Sequence, residues 1–288
     1  MVSLIRSPLT YPGAKGNAMK YIAPLIPKFK EYRECFLGGG SVYLFVRQTY
    51  GNNKIYWIND LYGKLYNFWK QTQQYPDDMI KYMLTWKNEY EDQNGKLLQR
   101  FLRDSACRFG NTQKAAAYYT WNQTSFSGFG RGFSKSNYDK KFNEDRINGL
   151  KDISSLLQGT RITNLDYSKL IEMEPTNGID NNDVFIFLDP PYQSVEWPEL
   201  YGSDGNLHKY FDHNRFAETM RKCKYPFLIT YDDSPFIRKL FDWTNIMPFE
   251  FTYTSRKIKM GKELLISNME FEDIKHKNRK QQTMDDYI

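Results

Sequence analysis

Asp183-Val184-Phe185-Ile186-Phe187-Leu188 is a near-continuous apolar run that passes directly into Asp189-Pro190-Pro191-Tyr192. A run that short, without alternation, suits a strand buried on both faces, as in a parallel sheet covered by helices. Further strand-like stretches fall at 34–37, 55–58, 161–165, 226–231, 249–254 and 263–267. Helical periodicity lies between them. Val42, Leu44, Phe45 and Val46 follow a candidate cap at Ser41, and Leu65, Phe68 and Trp69 follow Leu61. The periodicity predicts another helix over 147–157 and one around 216–221. Strands alternating with helices predict an α/β fold.

From about residue 71 to 151 the pattern turns helical, with Asp77-Asp78 opening a run that carries Ile80, Met83 and Leu84. Ala115-Ala116-Ala117-Tyr118-Tyr119 continues it, and an irregular glycine-aromatic-basic stretch, Phe126-Ser127-Gly128-Phe129-Gly130-Arg131, follows. The expected organisation is a discontinuous α/β domain (1–70 and 152–270), a helical insertion (71–151) and a polar tail (271–288). Charge separates the insertion too. Residues 81–151 carry 13 Lys or Arg against 7 Asp or Glu, so this block holds the whole formal net charge of +6. Such a block suits either a polyanion or a solvated helical surface.

Three widely spaced cysteines make no disulfide framework, and no stretch approaches a membrane span. Residues 1–8 are too short for a secretory leader, so an intracellular, cytoplasmic protein is expected. Aromatic residues at 17% argue against a disordered chain. His208, His213 and His276 are scattered without metal-ligand spacing. They are expected to be solvated, and no metal is expected.

Asp189-Pro190-Pro191-Tyr192 is the strongest chemical signal. In open α/β sheets ligands sit at the carboxyl ends of strands. Proline stiffens the turn and leaves carbonyls without competing N–H groups. An exocyclic amine could donate to Asp189 and to the Pro190 carbonyl while its ring stacks on Tyr192. Two acceptors would draw the nitrogen lone pair out of conjugation and stabilise the positive charge that develops on alkylation. Gly38-Gly39-Gly40 permits close backbone approach but matches no dinucleotide or P-loop fingerprint. Asp60, about 20 residues on, suits a ribose-binding acid or a helix cap.

Taken in order, Tyr11-Pro12-Gly13-Ala14-Lys15, Glu34-Cys35-Phe36-Leu37-Gly38-Gly39-Gly40, Asn59-Asp60, Asp166-Tyr167, Asp189-Pro190-Pro191-Tyr192 and Glu263-Leu264-Leu265-Ile266-Ser267-Asn268 resemble the motifs of Dam-type (D12 class) DNA adenine-N6 methyltransferases. Cys35 stands where that pattern usually has proline. The resemblance implies a Rossmann-like mixed sheet with an inserted target-recognition domain, and S-adenosyl-L-methionine as methyl donor. It implies cofactor contacts from Tyr11, Lys15, Phe36, Gly38, Gly40, Asp60, Asp166, Tyr167 and Asp189. The target base would meet Asp189, Pro190, Pro191 and Tyr192. Reaching N6 requires the adenine to leave the duplex stack.

The same resemblance places Asn122, Phe126, Ser127, Phe129, Arg131 and Lys135 against double-stranded DNA. Arg131 would act on a guanine edge or a phosphate. Ser127 replaces the asparagine of GATC readers, so no GATC target is implied. No obligate protein partner is expected. Two alternatives stand at this point: an N4-cytosine methyltransferase, against which Asp189 in place of serine speaks, and a catalytically inert DNA-binding relative.

Overall fold

The computed structural model describes residues 4–90, 95–126, 128, 131–193, 210–254 and 258–272. The tail expected beyond residue 270 therefore lies almost wholly outside the described residues, as do His208, His276, Ser127 and Phe129. The chain forms two compact units. The first comprises Met1–Ala14, Gly38–Gly51 and Asp60–Asn164, and the second Lys15–Leu37, Asn52–Asn59 and Leu165–Ile288.

In chain order the strands are β1 (Glu31–Glu34), β2 (Ile55–Asn59), β3 (Ser125–Phe126), β4 (Arg131–Phe133), β5 (Arg161–Thr163), β6 (Val184–Leu188), β7 (Phe227–Asp232), β8 (Asn245–Thr254) and β9 (Ile258–Ser267). Six of them build the sheet of the second unit in the order β2-β1-β6-β7-β9-β8. The first three pairings are parallel, with Tyr32 beside Tyr56, Tyr32 beside Phe185, and Phe187 beside Leu228. The last two, β7 with β9 and β9 with β8, are antiparallel. This is the α/β fold that the alternation predicts, with the mixed sheet that the resemblance implies.

All five residues of β6 are buried, which explains the unbroken apolar run. β1 is equally buried but reads Glu31-Tyr32-Arg33-Glu34. Its charges survive burial because they are satisfied inside the unit. Arg33 pairs with Glu31 at 2.7 Å and donates to the carbonyls of Met173 and Glu174, while Tyr32 donates to Glu34. The sequence places this strand at 34–37, three residues too late, because there the residues are apolar.

In the first unit the helix Ser41–Tyr50 is capped by Gly40, at φ +69°, and not by Ser41. The helices Gly63–Gln74, Pro76–Glu89 and Asn111–Thr124 follow, burying Leu65, Phe68 and Trp69 as expected and Met79, Met83 and Trp86 in the second of them, whereas Leu61, expected on the same face as Leu65, is exposed ahead of the first of them. The helix predicted over 147–157 is two helices, Glu144–Asn148 and Leu150–Leu157. The stretch expected to be irregular is a short antiparallel hairpin, β3 against β4, with Gly128 and Gly132 at positive φ allowing the reversal.

Candidate active site

In the second unit the chain runs outward from β1 to both sides, to β2 on one side and to β6 and β7 on the other. The carboxyl ends of β1 and β6 therefore flank a topological switch point, where open α/β sheets bind ligands. Cys35-Phe36 leaves β1 there and Asp189 leaves β6.

Asp189 is held from two directions. Its Oδ2 pairs with Lys15 Nζ at 2.8 Å, and its Oδ1 accepts from Thr230 Oγ1 at 2.7 Å. Each oxygen keeps acceptor capacity, since a carboxylate offers about four lone-pair positions. Lys15 is only 3% exposed, in the short 3-10 turn Lys15–Ala18. Burial pushes its ammonium down, but Asp189 and the buried Glu263 outweigh this and hold it above its ordinary value. The ammonium also lies 4.9 Å from the centre of the Tyr192 ring. Tyr192 stacks on Tyr231 at 5.8 Å, and Gln193 N–H is tied to Asp232 at the end of β7. The turn is thus fixed at both ends.

Thr230 and Glu263 are the residues that sequence reasoning missed here. Glu263 belongs to a quoted motif, yet only the pairing of β9 with β7 brings it toward Lys15. Thr230 shows in the sequence only as a hydroxyl inside an apolar strand. Replacing Thr230 by valine keeps the shape and removes the bond to Asp189. The expected loss is about 1.5 kcal/mol, or roughly tenfold in kcat, measured by steady-state methylation.

The neighbouring expected residues are less free. Asp166 caps the helix Tyr167–Glu172 and accepts from Ser168, and Arg215 holds it at 2.8 and 3.1 Å. Burial pushes its carboxyl up, but Arg215 and Ser168 outweigh this and hold it below the ordinary range. Tyr167 is largely buried among Phe36, Phe211 and Phe216. Phe36 and Tyr167 are thus brought together, at 5.4 Å between ring centres. His213, expected to be solvated, is instead half-buried and hydrogen-bonded through Nδ1 to the Tyr231 hydroxyl.

In the first unit Asp60 is not a helix cap, since the next helix is capped at Tyr62. Its Oδ2 accepts from Gly38 N–H at 2.9 Å and its Oδ1 from Tyr62 N–H at 2.8 Å. The Tyr11 ring covers Gly38 and Gly39, where an added Cβ would meet it at 2.9 and 2.8 Å. Gly40 lies beyond, at the helix start. Burial pushes the Asp60 carboxyl up to about 6, against the two backbone hydrogen bonds. A raised carboxyl lets the folded state hold its proton longer than the unfolded chain does. The stability Asp60 contributes is therefore complete below its ordinary value of 3.8 and is lost as pH rises through about 6. Carboxyl NMR should find Asp60 titrating near 6, and a midpoint in the ordinary range would refute its desolvation.

The residues expected at DNA divide. Phe126 is 47% exposed in β3, and Lys135 is exposed and paired with Asp139. Arg131 begins β4. Asn122, in contrast, is buried.

A mostly parallel α/β sheet thus delivers Asp189-Pro190-Pro191-Tyr192 at its switch point. The chain belongs to the D12 class N6 adenine-specific DNA methyltransferase family, whose model matches residues 11–255. It is similar to the DNA N-6-adenine-methyltransferase of Escherichia phage P1, with 26% identity over 253 residues. That match covers 82% of this chain but only 31% of the phage protein, so the chain spans about a third of that relative. Type II methyltransferase M.MjaIII of Methanocaldococcus jannaschii is 24% identical over 65% of this chain and 69% of its own length. Type II methyltransferase M.CviBI of Paramecium bursaria Chlorella virus NC1A is 27% identical over 81% of this chain and 85% of its own. Among the described residues no helix is long and apolar enough to cross a membrane.

Proposed function

We propose that this chain transfers a methyl group from S-adenosyl-L-methionine to N6 of an adenine swung out of duplex DNA, at a defined sequence. The observation that carries the reading is the Asp189–Tyr192 turn at the end of β6, its carboxylate held by Lys15 and Thr230.

Each unit, taken by itself, carries residues whose chemistry suits the methyl donor. Asp60 is pinned by one backbone N–H on each oxygen, which leaves each oxygen a lone pair for the hydroxyls of a ribose. Phe36 and Tyr167 supply aromatic surface suited to an adenine ring. Lys15 and Asp189 supply charge, and Tyr11, Gly38 and Gly40 supply close backbone approach. Asp166 joins this set only through the oxygen capacity that Arg215 and Ser168 leave. When bound, S-adenosyl-L-methionine supplies an electrophilic methyl on a sulfonium.

Everything else falls to this chain's own groups. Tyr192 stacks against the extruded base, and the Pro190 carbonyl and Asp189 accept the two N6 hydrogens. That orients the nitrogen lone pair away from the ring and stabilises positive charge as it forms. Asp189 orients and polarises the amine without acting as a strong base, and the surplus proton departs after transfer. Lys15 holds the carboxylate in place. Phe126, Arg131 and Lys135, with Ser127 and Phe129 of the same loop, are proposed to face DNA, within a target-recognition region spanning 71–151. The basic balance of 81–151 supports that reading. Such a reaction belongs inside the cell, with the genome.

Duplex DNA incubated with the protein and methyl-labelled S-adenosyl-L-methionine, then digested to nucleosides, tests the reaction. Label in N6-methyladenine is expected. Label in N4-methylcytosine would replace adenine by cytosine, and no label without cofactor binding would leave an inert relative.

A further inference from the structure

Asn122 sits near the end of the helix Asn111–Thr124, just before the β3–β4 hairpin, and sequence alone counts it among the DNA contacts. Its side chain is 2% exposed and engaged at both ends. Oδ1 accepts from Thr10 N–H at 2.8 Å, while Nδ2 donates to the Thr10 carbonyl at 2.8 Å and to the Gly128 carbonyl at 2.9 Å. One side chain thus offers residue 10 the donor and acceptor that a neighbouring strand would offer. It also holds Gly128, which lies between β3 and β4.

Adjacent contacts reinforce the same join. Gln123 donates to the Pro8 carbonyl at 3.0 Å, and Lys141 donates to Thr10 Oγ1 at 3.1 Å. On the loop side, Gly128 has φ +77°, and a Cβ there would stand 2.0 Å from the Thr10 carbonyl oxygen. No side chain fits that approach, so Gly128 and Thr10 are packed backbone to backbone. Thr10 leads into Tyr11, which covers Gly38 and Gly39.

We infer that Asn122 and Gly128 form a backbone clamp that fixes the β3–β4 hairpin on the Thr10 segment, making Asn122 a positioning residue for DNA recognition and not a base reader. The inference rests on the reading that this hairpin faces DNA. Loss of the clamp leaves the DNA-facing residues in place chemically but no longer held in one geometry, so it weakens binding more than it slows transfer.

Steady-state methylation of duplex oligonucleotides by the full chain, combined with amide hydrogen exchange at Thr10, tests this. Asn122→Ala and Gly128→Ala are each expected to raise the KM for DNA by about tenfold, with a smaller fall in kcat. The double variant should be no worse than the worse single, because both changes break one clamp. Thr10 N–H should exchange faster in Asn122→Ala. Asn122→Asp should match Asn122→Ala, because it keeps the acceptor for Thr10 but turns both donors into acceptors facing carbonyls.

Additive losses, or relaxed discrimination at one base with Thr10 exchange unchanged, would overturn the clamp in favour of direct reading. Faster Thr10 exchange with an unchanged KM would overturn the role in recognition. Arg131→Ala then separates the causes. If it also leaves the KM for DNA unchanged, the DNA-facing hairpin itself is wrong. If it raises that KM, only the inference about Asn122 fails.

Discussion

Asp189→Asn is expected to lower kcat for methyl transfer by roughly a thousandfold, the scale seen when a reacting centre loses a preorganised electrostatic partner. Asparagine matches the volume and can still accept the Thr230 hydroxyl on its amide oxygen. It loses the negative charge that draws on the N6 hydrogens and balances Lys15. Unlike Asp189→Ala it opens no hole, and its amide NH2 replaces the oxygen that pairs with the Lys15 ammonium. Calorimetry should show S-adenosyl-L-methionine still binding, with the loss concentrated in kcat. An Asp189→Asn enzyme within tenfold of the native rate would contradict the proposed polarisation.

Lys15→Met is expected to cost about 3–5 kcal/mol of folding stability, because it leaves two carboxylates facing a site from which their cation has been removed. Asp189 loses its 2.8 Å partner, and Glu263, 1% exposed, loses a favourable neighbour. Methylation should fall with it, since Asp189 is no longer held. Urea unfolding measures the first effect, and the assay at a temperature where the variant is folded measures the second. The pH dependence has a fixed sign. A raised ammonium stabilises the fold fully below its ordinary value of 10.5 and loses that contribution as pH rises through its higher folded value. The native chain should therefore weaken in strong alkali by a component that Lys15→Met lacks. Equal stability at neutral pH would show that the ion pair is not what holds the turn.

How far the sequence could be read differs by element, for physical reasons. β6 was legible because a strand flanked on both sides by parallel neighbours needs no polar face. The turn after it was legible because two prolines cannot continue a central strand. β1 was not legible. Its charges look like a surface, and only Leu170–Glu174, far along the chain, provide the carbonyls that satisfy Arg33. The hairpin was hidden by its glycines, which read as irregularity until β3 and β4 are seen paired.

The site divides in the same way. Lys15 and Asp189 are each conspicuous in the sequence, but their ion pair is a product of folding across a separation of 174 positions. Thr230 and Glu263 enter through strand register, which no local pattern reveals. His213 was misjudged because an isolated histidine reads as solvated, whereas here it anchors the Tyr231 hydroxyl behind Tyr192. Asn122 shows the opposite case. An amide in a basic loop reads as a base contact, while its donors and acceptor are taken by backbone.

Single-molecule sequencing of DNA from cells expressing this chain tests the central claim most directly, since it reports modified base and context together. N6-methyladenine at one recurring sequence, absent when Asp189→Asn is expressed, is the predicted outcome. Modified cytosine, or unmodified DNA from cells holding folded native protein, would contradict it.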